Sequence, residues 1–122
     1  MHLVVMIPCL NEEMTIAKVI KSIPQKIAGI KKTTVVVIND GSTDKTAQIA
    51  KKSGAIVVSH NKNKGVGAAF QTGITKALEL KADIIVNMDG DGQFDPTDIK
   101  QLITPVLKDE ADFVTASRFK DK

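Results

Sequence analysis

The chain has 122 residues, 43% apolar and 25% charged, which is ordinary for a globular protein and excludes a disordered or low-complexity segment. Its formal charge of +3 comes from lysines scattered among acids; with no Trp, no Tyr and no dense basic block, nucleic-acid binding is excluded, and the weak positive balance favours an anionic ligand or an anionic membrane surface. A single cysteine excludes an internal disulfide and suits a reducing, cytoplasmic setting, and the length corresponds to one domain over 1–122, short for a complete two-substrate enzyme.

The first apolar run, Leu3 to Ile7, predicts a strand; the N-terminal stretch Leu3 to Leu10, ended by Asn11-Glu12-Glu13, is too short to span a bilayer, so neither a signal peptide nor a transmembrane helix is expected there. Pro8 stiffens the turn that follows and displays Leu10, Asn11 and Glu12 at the strand's carboxyl end, with Cys9 a small buried residue. A helix is expected from Asn11, capped by that side chain, with Glu12 and Glu13 near its positive end and Ile16, Val19, Ile20 and Ile23 facing inward until Pro24 stops it.

The second run, Val35 to Ile38, leads into Asn39-Asp40-Gly41-Ser42-Thr43-Asp44. Gly41 permits a tight turn, Ser42 or Thr43 can cap the next helix, Asp44 suits its first turn, and Gly54 can end it. Asp40 is left over: it is either a turn-stabilising acid or a carboxylate at the ligand edge that accepts hydrogen bonds from a base or ribose.

A third run, Ala55 to Val58, precedes Ser59-His60-Asn61-Lys62-Asn63-Lys64-Gly65-Val66-Gly67. The G-x-G here follows the third strand and has Phe70 where a dinucleotide fingerprint needs Gly or Ala, and no P-loop pattern occurs, so both nucleotide motifs are disfavoured. The small residues instead suit close packing of a helix whose inner stripe is Phe70, Ile74, Ala77 and Leu78. Lys64 can help neutralise a phosphate, while His60, lacking a second His or Cys at ligand spacing, reads as a loop residue.

The fourth run, Ile84 to Val86, delivers Asn87-Met88-Asp89-Gly90-Asp91-Gly92-Gln93. Carboxylates crowded at a strand tip repel one another unless a cation or proton lies between them. Asp89, Asp91 and the amide oxygen of Gln93 supply the hard oxygen ligands that Mg²⁺ or Mn²⁺ prefers, which reads as a metal site holding a phosphorylated substrate; the alternative is a polar loop of turn formers. An EF-hand fails, since counting from Asp89 puts Phe94 where Gly is needed and Lys100 where the bidentate Glu belongs. A phosphatase of the haloacid dehalogenase type would carry its acids after the first strand. Asp95 and Pro96 open a fourth helix with Ile99, Leu102, Ile103 and Val106 inward and Pro105 kinking it, and Phe113 to Ala116 forms a fifth run. Continuous apolar runs alternating with helical patterns predict an α/β, Rossmann-like, mostly parallel sheet flanked by helices.

Taken together, Pro8 to Glu13, Asn39 to Asp44, Asn63-Lys64-Gly65, Asp89 to Gln93 and Ala116-Ser117-Arg118-Phe119 resemble family 2 glycosyltransferases, most of all the dolichol- and polyprenyl-phosphate sugar transferases, over essentially the whole chain. The resemblance implies a GT-A fold that binds a GDP- or UDP-linked sugar across the strand ends. It places Pro8, Leu10, Glu12, Ile38 and Asp40 around the nucleoside. Asp89, Gly90, Asp91 and Gln93 fall at the diphosphate and its metal, Asp91 being the catalytic residue most directly on the ion, and Arg118 lies near the donor phosphates or sugar. It further implies inverting transfer, with a lipid phosphate at the membrane surface as one acceptor, and a chain that is the N-terminal piece of a longer protein. Asn39 departs from the family's more usual Asp, and the resemblance implies that the family's acceptor-side segment would follow residue 122. A non-catalytic nucleotide-diphosphate and metal-binding module is the alternative function.

Overall fold

The computed structural model describes residues 1–88 and the backbone of 113–115. Five strands form one parallel sheet: β1 (His2–Cys9), β2 (Lys32–Asn39), β3 (Ile56–Ser59), β4 (Ile84–Asn87) and β5 (Phe113–Thr115), in the order β3-β2-β1-β4-β5. The helices described are α1 (Ile16–Ser22), α2 (Thr46–Lys52) and α3 (Val66–Glu79). The fourth helix expected after Asp95 lies outside the described residues.

The runs of β1, β2 and β4 became strands because both of their faces are covered, whereas the edge strand β3 is half-buried. Leu3, Val5, Ile7 and Cys9 of β1 pack with Val35, Val37, Ile84 and Val86 against Ile16, Val19 and Ile20 of α1 and Ala50 of α2. On the opposite face, Val4, Met6, Val36, Ile38 and Ile85 meet Ala69, Phe70, Ile74 and Ala77 of α3. A seven-residue helix such as α1 is not stable alone. Its buried side chains, each worth roughly 1.5–3 kcal/mol when removed from water, hold it on the sheet.

Close approach of α3 explains its small residues. A Cβ built on Gly73 would lie 2.8 Å from Met6 Sδ and 2.9 Å from Ile38 Cδ1, so glycine lets the helix axis sit low on the sheet. Leu78 departs from the expected inner stripe: it is 62% exposed, while Ala69, Gly73 and Ala77 form the buried line. With small residues making the contact, the buried face is narrower than the hydrophobic spacing suggests, and Leu78 falls outside it.

The chain winds outward from β1 through β2 to the edge strand β3, then crosses to β4 on the other side of β1. Such a reversal opens a crevice beyond the carboxyl ends of the two diverging strands, where ligands of open α/β sheets bind. Here those ends are Pro8-Cys9 of β1 and Asn87 of β4, with the Met88 amide donating to Met6 O at 2.9 Å.

Candidate functional site

Three loops meet at this carboxyl edge, and the hydrogen bonds between them define its shape. Asn11 does not cap α1, which begins at Ile16; the amides of Thr15 and Ile16 turn to the Glu12 carbonyl instead. Asn11 adopts a left-handed backbone (φ 54°) and reaches across to the β2–α2 loop, its Oδ1 accepting from the Thr43 amide at 2.9 Å while its own amide donates to Ser42 Oγ. Ser42 and Thr43 are thus occupied by the neighbouring loop. The acceptor at the start of α2 is Asp44, which takes both the amide and the hydroxyl of Thr46. Glu13 and Asp44 complete the bridge, Asp44 Oδ2 accepting from the Glu13 amide and Glu13 Oε1 from the Lys45 amide.

The β3–α3 loop is held differently, by Asp40. Register pairs Asn39 with Ser59, so the next residues of the two strands, Asp40 and His60, lie side by side. Asp40 Oδ1 accepts from His60 Nδ1 at 2.8 Å and from the Lys64 amide at 2.8 Å, and Oδ2 accepts from the Gly65 amide at 2.9 Å. The two side chains are each 8% exposed. Burial pushes the Asp40 carboxyl upward, but the His60 hydrogen bond, the two amides and the His60 charge outweigh it, leaving its pKa below the ordinary value. Because an ionised carboxylate only accepts, His60 Nδ1 must carry a proton. His60 Nε2 pairs with Thr72 Oγ1 of α3 at 2.8 Å, so the imidazole is a strut from β2 to α3.

Gly41 makes this arrangement possible. It sits at φ +80°, and an added Cβ would fall 2.5 Å from Asn63 N and Lys62 C, inside the backbone of the β3–α3 loop. Only glycine allows the two loops to pass this closely.

Beside Asp40 is a cavity of about 320 Å³ lined by Pro8, Cys9, Leu10, Asn63, Gly65, Val66 and Ala69. Leu10 is 40% and Val66 81% exposed, so two apolar side chains stand open to solvent around a buried carboxylate. That pairing suits a flat, partly polar ring held by its edge. A carboxylate offers roughly four acceptor positions. Three N–H groups occupy Asp40 among the described residues, leaving one position, on Oδ2, for a ligand.

Of the residues expected around a nucleoside, the structure therefore brings together Pro8, Leu10 and Asp40. Ile38 is fully buried in the core beneath α3 and does not line the cavity. Nor does Glu12, whose Oε2 accepts from Thr15 Oγ1 at the entry to α1. Asp89, Gly90, Asp91, Gln93 and Arg118 lie outside the described residues. Among the described residues no group of three His, Cys, Asp or Glu side chains gathers to hold a metal ion. At the tip of β4, however, Asn87 Oδ1 is buried with no hydrogen-bond partner among the described residues, a hard oxygen directly before the acidic stretch in sequence. The all-oxygen donor set of Asp89, Asp91 and Gln93 fits Mg²⁺ or Mn²⁺ in kind. Ligand spacing alone makes His60 a loop residue; the signal for its bond to Asp40 is its place, one residue past the end of a strand adjacent to the strand that carries Asp40.

The model of the family described as Glycosyl transferase family 2 matches residues 4–122. The chain belongs to that family. It is 43% identical over 118 residues to an uncharacterized protein of Methanocaldococcus jannaschii, covering 97% of this chain and 47% of that protein. It is 36% identical over 132 residues to the UDP-N-acetylglucosamine–dolichyl-phosphate N-acetylglucosaminyltransferase of Methanococcus voltae, covering 94% of this chain and 51% of that enzyme. Glucosyl-3-phosphoglycerate synthase from Mycobacterium tuberculosis, solved with Mn²⁺, uridine diphosphate and glucosyl-3-phosphoglycerate, is 32% identical with a TM-score of 0.68 over 87% of this chain and 39% of that chain. The parallel sheet and flanking helices of this glycosyltransferase family member are thus of the GT-A type, and the chain spans about half the length of the curated relatives it matches. Among the described residues no helix is long and apolar enough to cross a membrane.

Proposed function

We propose that the chain is the donor-binding part of an inverting glycosyltransferase that takes its sugar from a uridine-diphosphate donor. The observation that carries this is the one acceptor position of Asp40 left open among the described residues, on a carboxylate that lines a cavity together with exposed Leu10 and Val66. Uracil offers one N–H between two carbonyl oxygens, which one acceptor position satisfies. Guanine presents an adjacent N1–H and amino group, which need two. The uridine diphosphate bound by the Mycobacterium tuberculosis relative supports the same choice of base.

The remaining roles follow from placement in sequence. Pro8, Leu10 and Val66 line the base pocket. Departure of the diphosphate builds negative charge on its leaving oxygens. A Mg²⁺ or Mn²⁺ ion held by Asp89, Asp91 and Gln93 would supply Lewis-acid stabilisation of that charge. Arg118 and the Lys64 ammonium add positive charge on the donor side. An acceptor attacking the opposite face of the anomeric carbon inverts it, and a lipid phosphate, already ionised near neutral pH, needs no general base for this step. The dolichyl-phosphate acceptor named for the Methanococcus voltae relative supports that class of acceptor and a site of action at a membrane surface.

Calorimetry of UDP and GDP, each with and without Mn²⁺, on the wild-type chain and on Asp91→Asn tests the reading. UDP should bind more tightly than GDP, and Mn²⁺ should strengthen binding in the wild type but not in the variant. Metal-independent binding that Asp91→Asn leaves unchanged would remove Asp91 from the diphosphate site and favour a binding module without catalytic metal.

A further inference from the structure

We propose that His60 is the positioning residue that fixes the base preference of this site, by holding Oδ1 of Asp40 so that the carboxylate presents only Oδ2 to the cavity. The inference rests on the reading of that cavity as the uracil pocket. Its basis is the full occupation of the imidazole: Nδ1 on Asp40 and Nε2 on Thr72, both at 2.8 Å, with the side chain 8% exposed. Both ring nitrogens of His2 are paired as well, to Leu80 O and Thr34 Oγ1, so pairing alone is structural; His60 differs in that one of its partners is the carboxylate that lines the cavity.

The geometry divides the work among Asp40's three donors. The Lys64 and Gly65 amides sit at the far end of the loop, whereas His60, its first residue, is tied to β2 through its amide on Asn39 O at 2.9 Å and to α3 through its ring. His60 therefore sets the rotation of the carboxylate relative to the sheet, and through it the direction of the open Oδ2 position. Thr72 serves this strut in either charge state of the ring, because its hydroxyl donates to a neutral Nε2 and accepts from a protonated one. His60, Lys64, Thr72, Lys76 and Glu79 border a second groove of about 470 Å³, whereas Asp40 lines the base pocket, so the His60–Asp40 hydrogen bond joins the linings of the two.

Without the Nδ1–H donor, each carboxylate oxygen keeps one loop amide and has one open acceptor position, which suits the paired donors of guanine and sets an acceptor against a uracil carbonyl. His60→Ala should weaken UDP binding about tenfold, the scale of one charge-assisted hydrogen bond, and narrow the UDP-to-GDP ratio by a similar factor. His60→Asn places its amide nitrogen near the position of Nδ1 and should restore both. His60→Gln places its nitrogen near Nε2, reaches Thr72 rather than Asp40, and should behave like the alanine variant while remaining polar and foldable.

Calorimetry of UDP and GDP on the full chain and these three variants, with thermal melting of each, decides the matter. A ratio that narrows in the alanine and glutamine variants and recovers in the asparagine variant supports the proposal. A ratio unchanged in all three, with only the melting temperature moved, assigns His60 a structural role alone and overturns it. Absence of UDP binding by the wild type overturns the pocket reading and this inference together, whereas UDP binding with an unaltered ratio overturns only the inference.

Discussion

Replacing Gly41 by alanine tests the claim that the site is made by two loops passing at the limit of contact. The added methyl group would stand 2.5 Å from Asn63 N and Lys62 C and 2.9 Å from Lys62 Cα, against an ordinary separation of about 3.5–4.0 Å. The β3–α3 loop must therefore retreat by about 1 Å, since the atoms in the way are backbone. Asp40 bonds the Lys64 and Gly65 amides at 2.8 and 2.9 Å, and a retreat on that scale takes both beyond hydrogen-bond range. Charge-assisted bonds of this kind are worth about 1.5–3 kcal/mol each, part of which water returns, and alanine at positive φ adds about 1–2 kcal/mol. The expected loss is about 3–4 kcal/mol, or about 12–16 °C in melting temperature at about 4 °C per kcal/mol for a chain of this size. Circular dichroism melting of the variant reads this directly. Two controls isolate the cause: Gly65 also has positive φ (+97°) but nothing within 4 Å of a built Cβ, so Gly65→Ala should lose only about 1–2 kcal/mol; Gly67, helical and equally uncrowded, should gain up to about 1 kcal/mol as alanine. A Gly41→Ala protein that melts with the wild type, or no lower than Gly65→Ala, would refute the contact argument.

The remaining predictions address other links in the chain of inference. Asp40 and Asp44 both have folded pKa values lowered below the ordinary 3.8, burial raising each and hydrogen bonds more than compensating. Their contribution to stability is therefore complete above that value and lost as pH falls through the lower folded value, so urea midpoints should hold from neutrality to about pH 5 and drop toward pH 3, less steeply in Asp40→Asn; a midpoint insensitive to acid would contradict the carboxylate network. Asn11→Ala should lose about 1–2 kcal/mol from the bridge to Thr43, and Asn11→Gly less, because glycine accepts φ 54° without strain; equal losses on urea denaturation would leave no role for the backbone conformation. Leu78→Glu should change stability by no more than about 0.5 kcal/mol because Leu78 is exposed, whereas a loss above about 2 kcal/mol would restore it to the core.

The sheet was legible because its signal is local. Runs such as Leu3 to Ile7 and Val35 to Ile38 are apolar at every position, a pattern required only where both faces are buried, and each lies inside an observed strand. Ile16, Val19, Ile20 and Ile23 were legible for the same reason. What could not be read were bonds between residues about 20 to 32 positions apart, as from His60 to Asp40 and from Asn11 to Thr43. A local rule assigns Asn before Glu-Glu to a helix cap, but the side chain found a stronger use across the loop, and α1 began five residues later. Likewise Asp40 was placed at the ligand edge by its position, but that three of its acceptor positions are already filled follows only from the fold.

The central claim is that the cavity beside Asp40 receives the base of a uridine-diphosphate donor. Titration of the isotope-labelled chain with UDP in the presence of Mg²⁺, followed by amide NMR, measures this residue by residue. The largest shifts should fall on Leu10, Lys64, Gly65 and Val66, whose amides border the cavity or bond Asp40. Shifts concentrated in the groove along Gln71, Thr75 and Lys76, with Leu10 and Gly65 unmoved, would contradict it.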